Sequence, residues 1–169
     1  MTAAGGWRYL RAEPQRWVAA FAALILLAQV ALRGWAGYRG YFYLDDFNFT
    51  ARAAEYGLSP GHLLLRSYNN HLMPGAFAEV WALTTLWPLN FAAVMTVSLL
   101  LQVLLGVLFY RLLVELFGAR AAILVPFAVF AFSPITLPAF LWWAAALNQL
   151  PQQIATVGVL VLHLSLIHI

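Results

Sequence analysis

LNFAAVMTVSLLLQVLLGVLFY, residues 89–110, decides the fold. The stretch carries no charge and is apolar on every face. It is long enough to cross a bilayer, whose hydrocarbon core of about 30 Å needs about 20 helical residues. A β-barrel strand would instead alternate apolar and polar positions. The whole chain agrees with this stretch: 64% of it is hydrophobic and 9% charged, whereas a soluble domain carries roughly a quarter charged residues. The fold class is therefore all-α, a polytopic transmembrane helix bundle.

Upstream of that span, residues 1–16 read as a polar arm with Arg8, Arg11 and Arg16, followed by a first transmembrane helix over 17–35. Trp17 and Trp35 suit interfacial anchors at its ends, and the interior polar residue Gln29 suits a helix-packing contact. Downstream, residues 111–120 form a loop with Arg111, Glu115 and Arg120. A third span follows over 121–134 and is interrupted by Ser133-Pro134 and Pro138. Residues 135–149 then make a turn, and a fourth helix over 150–169 starts near Leu150-Pro151. The closing residues 164–169, from Leu164 through His168 to Ile169, read as a translated sequencing adapter. The chain is accordingly expected to be the N-terminal fragment of a longer protein; the alternative is a genuine short one.

Arginine placement sets the orientation. The arm and the loop at 111–120 are short and basic, so both are expected on the cytoplasmic side, which leaves residues 36–88 outside. A multi-pass protein of a bacterial cell membrane, N-terminus inside, is the expectation. The net charge of +3 comes from arginine alone, and with abundant alanine this points to a GC-rich source. The arginines are scattered without interleaved aromatics, so no nucleic-acid partner is expected and the lipid bilayer is the evident one. With no cysteine, disulfides and thiolate chemistry are excluded. Bulky residues follow the first apolar segment, so it is expected to stay in the membrane as an anchor and not to be cleaved.

The outer segment 36–88 is the most polar part of the chain. It holds Tyr41-Phe42-Tyr43-Leu44-Asp45-Asp46-Phe47, two adjacent carboxylates in a chain with only 6 acidic residues. Such a pair can divide acid and base roles or share a divalent cation. It can equally cap a helix, here 46–56 with Gly57 as its stop and Arg52 and Glu55 spaced to interact. Ser59-Pro60 starts a second short helix with serine as its cap. Residues 67–71 make a polar hinge, and Pro74 opens an interfacial helix broken near Trp87-Pro88.

An N-inside first span, an acidic pair just beyond it, and His71-Leu72-Met73-Pro74-Gly75 leading into an interfacial helix together resemble the GT-C superfamily of membrane glycosyltransferases. The likeness is nearest to the protein mannosyltransferase-like family 39 branch and covers residues 17 to 110. The family's Asp-Asp or Asp-Glu corresponds to Asp45-Asp46. Its His-Pro-Pro corresponds to the His71 segment, with one residue inserted and one proline missing. The resemblance implies Asp45 as first and Asp46 as second candidate for catalytic base. It also implies a polyprenyl-phosphate-linked sugar donor and transfer on the extracytoplasmic side. Arg52 or Arg66 would stabilise the departing phosphate; as solvated loop charges they would do nothing.

His71 reads as a proton carrier or a hydrogen-bonding turn residue, with no partner at zinc-ligand spacing. Glu79, on the interfacial helix, either faces the same cavity or snorkels to the headgroups. Trp142 and Trp143 suit an aromatic belt better than sugar stacking. Asn148, Gln149, Gln152 and Gln153 suit helix–helix bonding or a polar cavity wall. The competing class is a transporter or a non-enzymatic membrane protein. A transporter would usually keep its ionisable residues inside the spans.

Overall fold

The computed structural model describes the backbone of residues 6–167 and the side chains of residues 15–166, so His168 lies outside the described residues. The chain is all-α apart from one two-residue hairpin. Its helices are α1 (Gly6–Gly37), α2 (Asp45–Tyr56), α3 (Pro74–Leu86), α4 (Phe91–Phe117), α5 (Leu124–Phe132), α6 (Leu137–Leu141) and α7 (Trp143–Ile167). Among the described residues, three stretches are long and apolar enough to cross a membrane: Gln15–Gly37, Phe91–Phe117 and Ala121–Leu141. This is a membrane protein.

Several boundaries differ from those expected. From Gly6 on, the arm is already the start of α1, even though Pro14 lies within it. The segment 111–120 is mostly helix too: α4 continues to Phe117, and Gly118, with φ +74°, ends it. The third span is longer and more broken than expected. It runs from a 3-10 turn (Ala121–Ile123) through α5 and a second 3-10 turn (Pro134–Thr136) into α6. The Ser133-Pro134 break interrupts α5, and the apolar stretch continues to Leu141. The expected turn at 135–149 is therefore largely helical, and α7 starts at Trp143 with Pro151 inside it. Loss of the N–H at Pro151 does not end the helix. Asn148, Gln149, Gln152 and Gln153 make the first half of α7 polar, and α7 is not among the membrane-spanning candidates.

The chain divides into two compact units. The first comprises residues 1–32, 102–133 and 153–169. Its core is Val18, Ala22, Leu113, Ile123 and Phe127, with Leu26, Phe109 and Tyr110 packed around it. Gln29 is buried there, and its side-chain amide donates to the Ala131 carbonyl at 2.8 Å. This is the helix-packing contact expected of it. A Cβ at Gly106 would stand 2.5 Å from Leu26 Cδ1, so the tip of that side chain would have to shift.

The second unit comprises residues 33–101 and 134–152. Its portion between α1 and α4 is built on α2 and α3, which bury Phe49 and Ala53 against Ala76, Phe77, Val80 and Leu83. Phe49 meets Phe77 edge-on at 5.3 Å and Tyr68 edge-on at 4.8 Å. Burying an aromatic side chain of this kind contributes roughly 1.5–3 kcal/mol. Arg33 is in α1 and buried, with its guanidinium donating to Thr136 Oγ1 at 2.6 Å and lying over the Phe140 ring.

Two turn chemistries differ from expectation. Residues 67–71 are no hinge: Ser67–Tyr68 and His71–Leu72 pair antiparallel, with Tyr68 opposite His71. Asn69 and Asn70 both have positive φ (47° and 64°), which is what a two-residue hairpin turn needs and what asparagine tolerates. Ser59 does not cap through its side chain. The π-turn Pro60–Leu64 begins on the Ser59 carbonyl, while its hydroxyl meets His62 Nδ1 at 3.1 Å.

Gly57 stops α2 as expected, its N–H donating to the Ala53 carbonyl at φ +56°. No side chain is comfortable at that φ. Gly57→Ala is expected to lower stability by about 1–3 kcal/mol, to be checked by thermal unfolding in detergent. An unchanged midpoint would mean that the α2 terminus re-forms elsewhere.

Candidate functional site

The acidic pair is split by its surroundings. Asp46 is 1% exposed. One of its oxygens accepts the Tyr43 N–H at 2.9 Å and the other the Ala144 N–H at 2.7 Å. The cap position of α2 is Leu44, with φ +44°, and no side chain caps the helix. The capping expectation is thus overturned in both its forms. Asp46 turns back onto the backbone before α2 and across to the first turn of α7. A leucine at positive φ costs about 1–3 kcal/mol, and the Asp46 bond to Tyr43 closes that strained turn.

Each Asp46 oxygen accepts one backbone N–H, and Asp46 lines neither of the cavities that hold Asp45 and Arg52. Among the described residues, no group of three or more His, Cys, Asp or Glu is placed to hold a metal ion.

Asp45 has the opposite surroundings. Its half-buried carboxylate lines a cavity of about 210 Å³ with Tyr68, His71, Trp142, Asn148 and Gln149. Tyr68 reaches the Asp45 carboxylate with its hydroxyl, and this contact is the main reason its own pKa is raised. Asp45 comes from the first turn of α2, His71 from the hairpin, and the amides from α7. The hairpin register that sets Tyr68 opposite His71 gives the cavity two of its walls.

Arg52 and Arg66 sit together in a second cavity, of about 330 Å³, with Asn48 and Glu55. Phe49 and Tyr68 line both cavities. The Nη1 atom of Arg52 is buried without a hydrogen-bond partner, and its guanidinium lies over the Tyr56 ring at 5.7 Å. A buried donor without an acceptor is costly. His62 stacks on Tyr56 at 5.1 Å.

Glu79 lines neither of these two cavities. It is half-buried on α3, and burial pushes its carboxyl pKa up. The Trp143 indole N–H comes near enough to temper this but short of a full hydrogen bond. Trp143 itself is 1% exposed and edge-on to Phe42 at 5.7 Å. The aromatic-belt expectation fails for it, because its neighbours are core residues. Trp142 is half-buried at the cavity, and its indole N–H is buried without an acceptor.

Burial also raises the pKa of Asp46, with the Asp45 charge adding and the Tyr43 and Ala144 N–H groups opposing. Burial makes the charged form of both carboxyls less favourable in the fold than in the unfolded chain. Their stabilising contribution is complete below the ordinary carboxylate range near pH 4 and is lost as pH rises through their raised values. The thermal midpoint in detergent is expected to fall as pH is raised from about 4 toward neutral, and Glu79→Gln to flatten part of that slope. A slope untouched by Glu79→Gln would remove Glu79 from the account.

No protein-family model, curated protein or solved structure matches the chain. The case for function thus stands on the two cavities. Of the residues predicted from sequence, Asp45 and His71 come together in one and Arg52 and Arg66 in the other, while Asp46 and Glu79 join neither. Tyr68 had no signal apart from its place beside the asparagine pair. Asn148 and Gln149 were visible as a polar interruption of an apolar helix.

Proposed function

We propose that this chain belongs to a membrane glycosyltransferase of GT-C type, transferring a sugar from a polyprenyl-phosphate-linked donor on the extracytoplasmic side. The supporting observation is the adjacency of an anionic cavity holding Asp45 and His71 to a cationic one holding Arg52 and Arg66, with Phe49 and Tyr68 in both. A sugar phosphate needs that pairing: cations for the phosphate, a base for the acceptor.

Asp45 takes the proton of an acceptor hydroxyl as its oxygen bonds to the anomeric carbon. The bond from that carbon to the phosphate oxygen breaks, and the electron pair leaves with the polyprenyl phosphate. Arg52 and Arg66 stabilise the charge that develops there. A lipid-linked donor requires a site at the membrane boundary, which suits a helical loop directly following a span. The basic short segments, Arg16 and Arg111 with Arg120, support an N-terminus inside the cell.

The test is reconstitution of the protein, with whatever sequence follows this chain, in vesicles. These are given a radiolabelled sugar on polyprenyl phosphate, with release of polyprenyl phosphate measured. Release that depends on acceptor is expected. Transfer from a nucleotide sugar alone, or none from any lipid-linked donor, would overturn the proposal.

A further inference from the structure

The cavity beside Asp45 has a composition that the proposed reaction does not by itself require. It has one carboxylate, no arginine, the Asn69, Asn148 and Gln149 amides, the His71 imidazole, and three aromatic residues, Phe49, Tyr68 and Trp142. The indole N–H of Trp142 is buried and lacks an acceptor. Amides both donate and accept, so they match hydroxyl groups, which do the same. Aromatic faces cover the apolar C–H faces of a ring. Charged ligands fit poorly: an anion would meet Asp45, and a cation would find a single carboxylate.

We infer that this cavity binds an uncharged sugar ring, and that Asn148 and Gln149 on α7 read its hydroxyl pattern, with Trp142 Nε1 donating to one hydroxyl. The inference rests on the proposed function only for the fate of the sugar; the binding itself does not depend on it. The Asp46 carboxylate gives these amides their place. It bonds Ala144 N–H at 2.7 Å, one helical turn before Asn148, and its neighbour Asp45 enters the same cavity. Asp46 is thus a positioning residue, and Asn148 and Gln149 are specificity residues.

The experiment is ligand-observed saturation-transfer NMR on the chain in nanodiscs, using methyl glycosides of hexoses that differ at single hydroxyls. Saturable binding with a preference among epimers is expected. Asn148→Ala and Gln149→Ala should each weaken the preferred glycoside about fivefold to twentyfold, the loss of one or two hydrogen bonds. Asn148→Asp, of the same size, keeps a folded variant in hand and should also change the ranking of epimers. Each variant's thermal midpoint is recorded beside it.

No saturable binding of any hexoside, or variants that keep the wild-type ranking and affinity, would overturn the inference. Transfer assays then separate the two ideas. Sugar binding without transfer leaves this site standing and removes the proposed function. Transfer with a donor preference indifferent to both amides does the reverse.

Discussion

Asp45→Asn is expected to slow sugar transfer by about 10²–10⁴-fold, the range for loss of a general base. The substitution preserves shape. An asparagine carbonyl oxygen can still accept from the Tyr68 hydroxyl that reaches Asp45, so the cavity should keep its walls. What disappears is the capacity to take a proton. The loss should fall on kcat, with little change in donor KM, because the phosphate is assigned to Arg52 and Arg66 in the neighbouring cavity. Membrane insertion and thermal midpoint should match wild type. A rate within about threefold of wild type, well below the general-base range, would remove Asp45 as the base. His71 would then be the proton carrier left in that cavity.

Asp46→Ala should act on a different quantity. It removes the acceptors of two backbone N–H groups at 2.9 and 2.7 Å. Hydrogen bonds to charged groups are worth about 1.5–3 kcal/mol each, and a buried donor left unsatisfied carries its own penalty. The burial that raises the Asp46 pKa offsets part of this, since the wild-type carboxylate is itself costly to bury. A net loss of about 3–5 kcal/mol is expected, the scale of a broken buried polar network. Against a typical total of about 5–15 kcal/mol, that is a large fraction. Asp46→Asn, which keeps one acceptor, should lose about half as much. Thermal unfolding in detergent checks both. Equal midpoints for Asp45→Asn and Asp46→Ala would contradict the division of labour between the neighbouring aspartates.

The reach of sequence reasoning is clear from particular residues. The membrane class followed from apolar length, because residues 89–110 are long and apolar enough to cross a bilayer. The α2 helix and its Gly57 stop, and the opening of α3 at Pro74, were equally visible, since local backbone chemistry sets such boundaries. The roles of the aspartates were not visible. Asp45 and Asp46 are the same residue type in adjacent positions, and part of what distinguishes them is Ala144, 98 residues away. The Asn69-Asn70 turn carried a signal that composition disguised as a polar hinge. The start of α7 was missed because Pro151 and the surrounding amides look like a helix beginning, whereas Trp143 already starts it.

The hairpin joins two site residues into one part. Tyr68 reaches Asp45 and stands across the ladder from His71, with only Asn69 and Asn70 between them. An insertion in that turn, or a one-residue slip of its pairing, would displace the partner of the proposed base and the histidine together. Anyone regrafting or evolving this loop would have to exchange residues 67–72 as a single cassette, since neither side chain can be retuned while the other stays in place.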